Sequence, residues 1–509
     1  MPKLPPLIAP ERPEAEKRTL GQFFTPPELA DFIAGFFTRN LRDWRLIDAG
    51  AGAGALTLAA VKHALRQRPL PRTFHVTAYE IDPAAILLLH QTLAHCDALC
   101  AAAGVAFSVD LRTEDFIDQA LASLEQTLFS PAAQTFNAAI ANPPYRKLST
   151  TSSQHRRLCA AGIEVSNLYS AFLALLSRLL DEEGELAAIV PRSFCNGPYF
   201  RSFRCDFLSR MAFRRLHVFG SRSTIFSAEA VLQENIVFCA HRSNTPPSQI
   251  EVSASSGAND DPLRSQVLPW HEIVAPNDPE LFIHLPSSEG DRSARQCLAG
   301  VTGTLAELDI AVSTGKVVDF RVRELLQKEA CPGTHPLLYP CHFRGGLVAW
   351  PQPEGRKPNA IAAPADRTDL LIPVGTYVVV RRFSSKEERK RIVASILDPE
   401  RLPSDVRYLG LENHLNYFHC HGAGLSPALA AGLAAYLNWS IVDNYFRQFN
   451  GHTQVNATDL RRLPYPSAQS LIALGEAIGA STPDQDDTDR IVPKFCQRQP
   501  TPPCPAPHR

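Results

Sequence analysis

The sequence predicts an α/β protein, a doubly wound, mostly parallel sheet followed by a C-terminal irregular α+β domain. Three observations lead there. Strand-like and helix-like segments alternate from about residue 26 to residue 190. Two early strands end on acids, Asp48 and Glu80, and a glycine-rich turn follows the first of them. After about residue 240 the alternation gives way to Ser, Asn, Pro and Asp. Alternation of this kind builds parallel sheets whose ligands sit at the carboxyl ends of the strands.

The elements follow in order. Pro26 to Phe37 has helical apolar spacing and a Pro-Pro start, which suits a helix N-terminus. Arg45 to Asp48 reads as a strand and Leu56 to Gln67 as a helix. Phe74 to Glu80 is the next strand, Pro83 to Cys100 a helix, and Val105 to Leu111 an alternating strand. Phe136 to Ala141 is a strand ended by Asn-Pro-Pro-Tyr. Leu168 to Leu180 reads as a helix and Glu185 to Val190 as a buried strand. His241 to Asp261 reads as a loop or linker. From about 300 to 470 the pattern is irregular, with β-rich pieces such as Thr376 to Val380. The polar, proline-rich tail from about Ser481 is expected to be disordered.

A chain of 509 residues has material for two or three domains. Hydrophobic residues are 45% and charged residues 20%, which excludes wholesale disorder. The apolar stretch Leu168 to Leu180 is too short for a bilayer and carries Arg178, so no membrane association is expected. Prolines and charges at the start speak against an export signal, so a cytoplasmic location is expected. A net charge of −1 gives no global signal for nucleic acid, although a local basic groove can sit on a neutral protein. The 12 cysteines form no CxxC pair. They read as reduced thiols, and no metal site is expected.

The run Asp48 to Gly54 (DAGAGAG) stands between strand and helix. Gly50 and Gly52 let the main chain turn tightly and let a ligand lie against it. An acid ahead of the glycines would repel a pyrophosphate but suits an ammonium group. Glu80, ending the next strand, is placed to accept from two ribose hydroxyls. A molecule with an amino-acid end and a ribose, but no phosphate, is S-adenosyl-L-methionine. Asp115 can accept from an adenine amino group, and Phe116 can stack on its ring. The bland alternatives are a plain strand-to-helix turn at the glycines and a helix N-cap at Asp115.

Asn142-Pro143-Pro144-Tyr145 carries the chemistry of a planar amino group, whose lone pair is delocalised. The Asn142 side-chain oxygen and the Pro143 carbonyl can each accept from that amine, which favours a tetrahedral, nucleophilic nitrogen. Pro143 and Pro144 fix the main chain so that the acceptors converge. Tyr145 offers a ring face to a flipped base. The bland alternative is a proline-rich turn capped by Asn.

The segments GQFFTP (Gly21 to Pro26), DAGAGAG, YEID, TEDF and NPPY occur in one order. That set resembles the γ-class N6-adenine DNA methyltransferases of type II restriction–modification systems. Ser221 to Phe238, Ser313 to Arg321 and Tyr445 to Pro466 are similar to the subfamily of the PstI and BsuBI modification methylases. The resemblance spans roughly residues 19–470 and implies transfer of a methyl group to a flipped-out adenine in double-stranded DNA. It implies that Thr25 lines the cofactor's methionine end and that Asp48 contacts its ammonium. Glu80 would hold the ribose, and Asp115 with Phe116 the adenine. Asn142, Pro143 and Tyr145 would receive the target base, and Phe238 would pack on its other face, with nearby Phe226 as a competitor.

The implied organisation is an N-terminal arm (1–18), a methyltransferase domain (19–245), a target-recognition domain (246–480) and the tail (481–509). A separate restriction endonuclease is the expected functional partner, with none fused ahead of Gly21, and the expected state is a monomer. For DNA contact the sequence offers Arg381 to Lys386 with Arg389, Lys390 and Arg391, and the loop Asn450 to Asn456. The first could equally be a solvated charged helix and the second a loop that packs the second domain against the first. Arg146 and Lys147 could neutralise a phosphate beside the flipped nucleotide. Two other functions stay open: methylation of a protein glutamine or an RNA amino group, and non-catalytic DNA binding on this scaffold.

Overall fold

The computed structural model describes residues 25–125, 134–219, 235–255, 264–276, 278–286, 289–384, 388–450, 453–479 and 482–496. Two compact units divide the chain at residues 287–288.

The first unit is built on a nine-stranded sheet of order β3-β2-β1-β4-β5-β7-β6-β8-β9. Its strands are β1 (Asp43–Ala49), β2 (Thr73–Tyr79), β3 (Ala106–Arg112), β4 (Phe136–Ala141) and β5 (Leu180–Pro191). β6 (Met211–Phe219), β7 (Asn235–Arg242), β8 (Gln249–Ser255) and β9 (Arg264–Pro269) complete it. β3, β2, β1, β4 and β5 run parallel. β7 is antiparallel to both β5 and β6. This is the expected doubly wound α/β architecture. The last four residues of β1, β2 and β4 are all buried, as a sheet covered on both faces requires. Leu46, Val76, Ala138 and Ile140 face one core, with Leu89, Leu93, Cys96 and Cys100 of the helix Pro83–Ala102. That helix is long and apolar enough to cross a membrane by composition alone, but these side chains pack on the sheet. Ile47, Ala139 and Leu186 face the other core, with the helix Leu168–Leu179.

Two expectations are corrected here. The sheet does not end near residue 245. β8, inside the stretch expected to be a linker, pairs parallel with β6, and β9 beyond that stretch closes the edge beside it. Ile250 and Val252 supply the buried face of β8, two residues apart, within a segment whose flanks are rich in turn residues. The tail is also structured in part. Asp484 caps a helix over Gln485–Ile491, and Pro493–Cys496 follows as another turn of helix. Residues 497–509 lie outside the described residues.

The second unit is irregular, as expected. A six-stranded sheet has Tyr377–Arg381 near its centre, antiparallel to Leu415–His419 on one side and Ala394–Leu397 on the other. A five-stranded sheet of short strands accompanies it. The helices Pro427–Asn438 and Ala468–Ile478 cross with Gly432 and Gly475 at the contact. An added Cβ on either would lie under 2 Å from the other helix's carbonyl oxygen.

Candidate functional site

The register of the first sheet sets the site. Ala49 lies opposite Tyr79, Tyr79 opposite Arg112, and Asp48 opposite Ile140. Four neighbouring strands therefore end at one level. The next residues along each, Gly50, Glu80, Thr113 and Asn142, share one edge of the sheet.

At the first strand end, Gly50, Gly52 and Gly54 all have positive φ, between 56° and 87°. The turn brings Gly50 and Ala51 N–H to the Tyr79 carbonyl at 3.0 and 2.8 Å. At Gly54 an added Cβ would also meet Leu89 and Thr92 at 2.9 Å, so close packing as well as conformation selects glycine. Asp48 is fully buried. Its Oδ2 accepts from Thr57 Oγ1 at 2.6 Å, while Oδ1 has no partner among the described residues. Burial raises the Asp48 carboxyl to about 7, with Glu80 adding to the rise and the Thr57 hydrogen bond opposing it. An ammonium group beside Oδ1 would satisfy the orphaned oxygen and restore the charge.

Glu80 is held by the main chain. Its Oε2 accepts from Gly52 N at 2.8 Å, and its Oε1 from Ile81 N and Asp82 N at 2.9 and 2.8 Å. Burial raises its carboxyl above the usual range, and these backbone donors pull it back. Asp115 caps the helix Phe116–Leu124 through Asp118 N, the bland role the sequence offered. Its other oxygen makes no hydrogen bond within the described residues. The Phe116 ring is buried, edge-on to Tyr79 at 5.2 Å and tilted against Phe172 at 4.9 Å. It packs against the core beneath this corner.

Asn142 follows β4 and is half-buried. Its Nδ2 donates to Thr25 Oγ1 at 3.0 Å. Tyr145 donates its hydroxyl to Asn142 Oδ1 at 2.9 Å and reaches the Ile189 carbonyl at 3.4 Å. Burial raises the Tyr145 phenol well above its ordinary value, so it stays protonated as a donor. Its ring stands edge-on to Tyr169 at 6.4 Å. Thr25, expected only beside the methionine end of a cofactor, thus also touches the Asn-Pro-Pro-Tyr motif. Pro143 is buried, Pro144 half-buried, and Arg146 and Lys147 are exposed.

Phe238 is not brought to this site, and its expected role is corrected. It lies fully buried in β7, edge-on to Phe194, Phe207 and Phe213 at 5.4 to 6.4 Å. Its competitor Phe226 lies outside the described residues. The sequence reading missed Thr57. Its signal is weak: a hydroxyl three residues past Gly54, on the helix that the glycine turn opens.

In the second unit the two segments expected to meet DNA meet each other. Ser384 N donates to the Thr453 carbonyl and Val455 N to the Arg382 carbonyl, at 3.1 and 2.7 Å. Arg391 is buried and donates to Ser384 Oγ and Asn450 Oδ1, at 3.0 and 2.8 Å. Asn450 donates onward to Asp459 at 3.0 Å, and Asn456 caps the helix Ala457–Arg461. Lys390 donates to the Asn438 carbonyl, and Arg381 pairs with Glu388. These contacts pack the two segments against each other within the second unit, which neither bland alternative had foreseen. Arg389, Phe383 and Thr453 are exposed.

Comparison with known proteins bears on this arrangement. The family described as Eco57I restriction-modification methylase matches residues 101–226. Type II methyltransferase M.PstI of Providencia stuartii is 40% identical over 484 residues, 95% of this chain and 94% of that protein. The chain belongs to the type II methyltransferases of restriction–modification systems. Type II methyltransferase M.BsuBI of Bacillus subtilis is 42% identical over 463 residues, 90% of each chain. Among solved structures, the type IIG restriction endonuclease BpuSI is similar with a TM-score of 0.41 and 13% identity. The match covers 89% of this methyltransferase and 61% of BpuSI. The two type II relatives bear out the expected family at the level of a type II modification methyltransferase, a DNA-modifying enzyme, and the sheet order bears out the fold class.

Proposed function

We propose that this methyltransferase transfers a methyl group from S-adenosyl-L-methionine to N6 of a flipped-out adenine in double-stranded DNA. The modification would protect its recognition site from a separate restriction endonuclease. The observation that carries this reading is the Asn142 carboxamide at the end of β4. It is held between Thr25 and Tyr145, on the sheet edge that also carries Asp48, Glu80 and Asp115. The donor set fits the cofactor. Asp48 Oδ1 suits its ammonium, Glu80 suits a ribose hydroxyl, and the second Asp115 oxygen suits an adenine amine. The positive-φ glycines leave bare main chain beside them.

When bound, the cofactor supplies an electrophilic methyl group. The Asn142 side-chain oxygen and the Pro143 carbonyl accept from the adenine amine, drawing its lone pair out of ring conjugation. Tyr145 presents a ring to the flipped base. No ionised base is required of the chain, because the proton leaves to solvent after the nitrogen has reacted. The target-recognition role falls to the second unit, and the catalytic role to the first. We further propose that the protein acts as a monomer in the cytoplasm.

The test is transfer of labelled methyl from S-adenosyl-L-methionine to duplex DNA, followed by digestion to nucleosides. Label in N6-methyl-2′-deoxyadenosine supports the reading. Label on release-factor protein or RNA but not DNA would move the function to the other planar amines.

A further inference from the structure

We infer that Asp309, Cys420 and His421, in the second unit, form a binding site for a zinc ion. Asp309 and Cys420 are 111 residues apart in the chain, and a strand pair brings them together. Ala311–Thr314 runs antiparallel to Leu415–His419, with Ala311 opposite His419. Continuing that register by two residues sets Asp309 opposite His421. One ligand atom from each of the three side chains lies within 4.8 Å of the others. Cys420 Sγ and Asp309 Oδ2 are 3.4 Å apart, and His421 Nε2 and Asp309 Oδ2 are 3.1 Å apart. Asp309 and His421 are exposed and Cys420 is half-buried, so an ion can reach them from solvent.

The ligand set and its spacing fit zinc. Around a tetrahedral Zn²⁺, with sulfur at about 2.3 Å and nitrogen or oxygen at about 2.0 Å, sulfur and oxygen stand roughly 3.5 Å apart and nitrogen and oxygen roughly 3.3 Å. The separations here are close to both. A thiolate and an imidazole speak against Mg²⁺ and Ca²⁺, which take oxygen ligands. The backbone supplies an independent observation. Asp309 and His421 both have positive φ, 57° and 47°, which side chains rarely adopt. His421 and Gly422 are the centre of a two-residue turn closed by Cys420 and Ala423, at 3.0 and 2.8 Å. Asp309 closes another tight turn, in which Ile310 N donates to the Leu305 carbonyl at 2.9 Å. Glycine would fit both positions without strain. Each instead carries a metal-ligating side chain, and the two meet; strain of this kind gathers at ligand clamps. His419 steadies the turn, its Nδ1 accepting from Gly422 N at 3.0 Å and its Nε2 lying 2.9 Å from Ser313 Oγ. Both its ring nitrogens are thus engaged, which leaves the fourth position on the ion to water. On binding, the Cys420 thiol releases its proton to solvent and the thiolate bonds the ion, with His421 Nε2 and one Asp309 oxygen beside it. The ion would join the turn at Asp309 to the hairpin at Cys420.

The experiment uses the full-length protein, stripped with a chelator and kept reduced with a phosphine. Co²⁺ serves as the coloured probe, and Zn²⁺ affinity is read from its displacement. We expect one equivalent of Co²⁺ to give the visible bands of a tetrahedral site with sulfur-to-metal charge transfer, bleached by Zn²⁺. Cys420→Ser should remove the charge-transfer band. Asp309→Asn and His421→Asn should fold as wild type does, because asparagine tolerates positive φ. Each should bind Zn²⁺ more weakly by about 100-fold, since a lost ligand costs no less than a lost outer-shell partner. Zn²⁺ should raise the Tm of wild type but not of Cys420→Ser. Cys159→Ser is the control, because Cys159 Sγ lies 3.8 Å from His155 Nδ1 in the first unit and could take up the probe. It should leave the bands unchanged. Absence of tetrahedral Co²⁺ bands, bands that survive Cys420→Ser, or bands that Cys159→Ser removes would overturn the inference. So would a wild-type Zn²⁺ affinity in Asp309→Asn or His421→Asn.

Discussion

Replacing Asp48 by asparagine should make the cofactor-free enzyme more stable and the cofactor weaker, each for a reason visible at the site. Asp48 is fully buried, one oxygen is bonded to Thr57, and the other has no partner among the described residues. Its folded-state value of about 7 stands above the ordinary 3.8, chiefly because burial disfavours the charge. A raised folded value favours folding fully below about 3.8, and that contribution is lost as pH rises to about 7. The span corresponds to at most roughly 4 kcal/mol at pH 8, at about 1.4 kcal/mol per pH unit. The asparagine side chain has the same shape and no charge to desolvate. Urea unfolding should therefore show little difference between Asp48→Asn and wild type near pH 4. The variant's advantage should grow towards pH 7 and level off above it. Calorimetry at pH 8 should show the opposite ranking for S-adenosyl-L-methionine. Loss of a charge-assisted hydrogen bond of about 2 kcal/mol weakens affinity roughly 30-fold. A stability difference that does not change with pH, or a variant that binds cofactor as wild type does, would refute the reasoning.

Other outcomes follow from the same structure. Phe238→Ala should lower stability by about 3–5 kcal/mol, as a buried ring replaced by a cavity does, and urea unfolding measures it. Arg391→Ala should destabilise the second unit, because Ser384 and Asn450 lose their buried partner; a normal urea midpoint would contradict this. Arg389→Ala should fold normally and lower the salt dependence of DNA binding by about one phosphate contact, read from affinities across a salt series. Gly475→Ala should unfold or displace the helix Ala468–Ile478, since its Cβ would fall 1.8 Å from Ala428 O; an unchanged melting curve would argue against that helix crossing.

The sequence carried the parts of this protein that local chemistry decides. β1 to β5 and their helices were legible because buried parallel strands are short apolar runs and the helices between them have their own period. The glycine run and Asn142 to Tyr145 were legible because few structures need those residues in that order. What the sequence did not show depends on distant partners. Phe238 and Phe226 are alike in sequence, and only Phe194, Phe207 and Phe213 reveal that Phe238 belongs to the core. Arg391 looked like a solvated charge because Asn450 and Asp443 lie more than fifty residues away. β8 was hidden by its flanks, where Ser, Asn and Pro outweigh two buried side chains. The hydroxyl contacts of Thr25 and Tyr145 with Asn142 could not be read at all, since Thr25 and Asn142 are 117 residues apart.

The most direct test of the account is methylation mapping by long-read sequencing. Genomic DNA from a methylation-deficient bacterial host would be compared with and without expression of this chain, alongside Asn142→Ala. The account predicts one short motif carrying N6-methyladenine with the intact chain, and none with Asn142→Ala although that variant still binds S-adenosyl-L-methionine. Soluble, cofactor-binding protein that leaves every adenine unmodified, or a variant that still methylates, would contradict it.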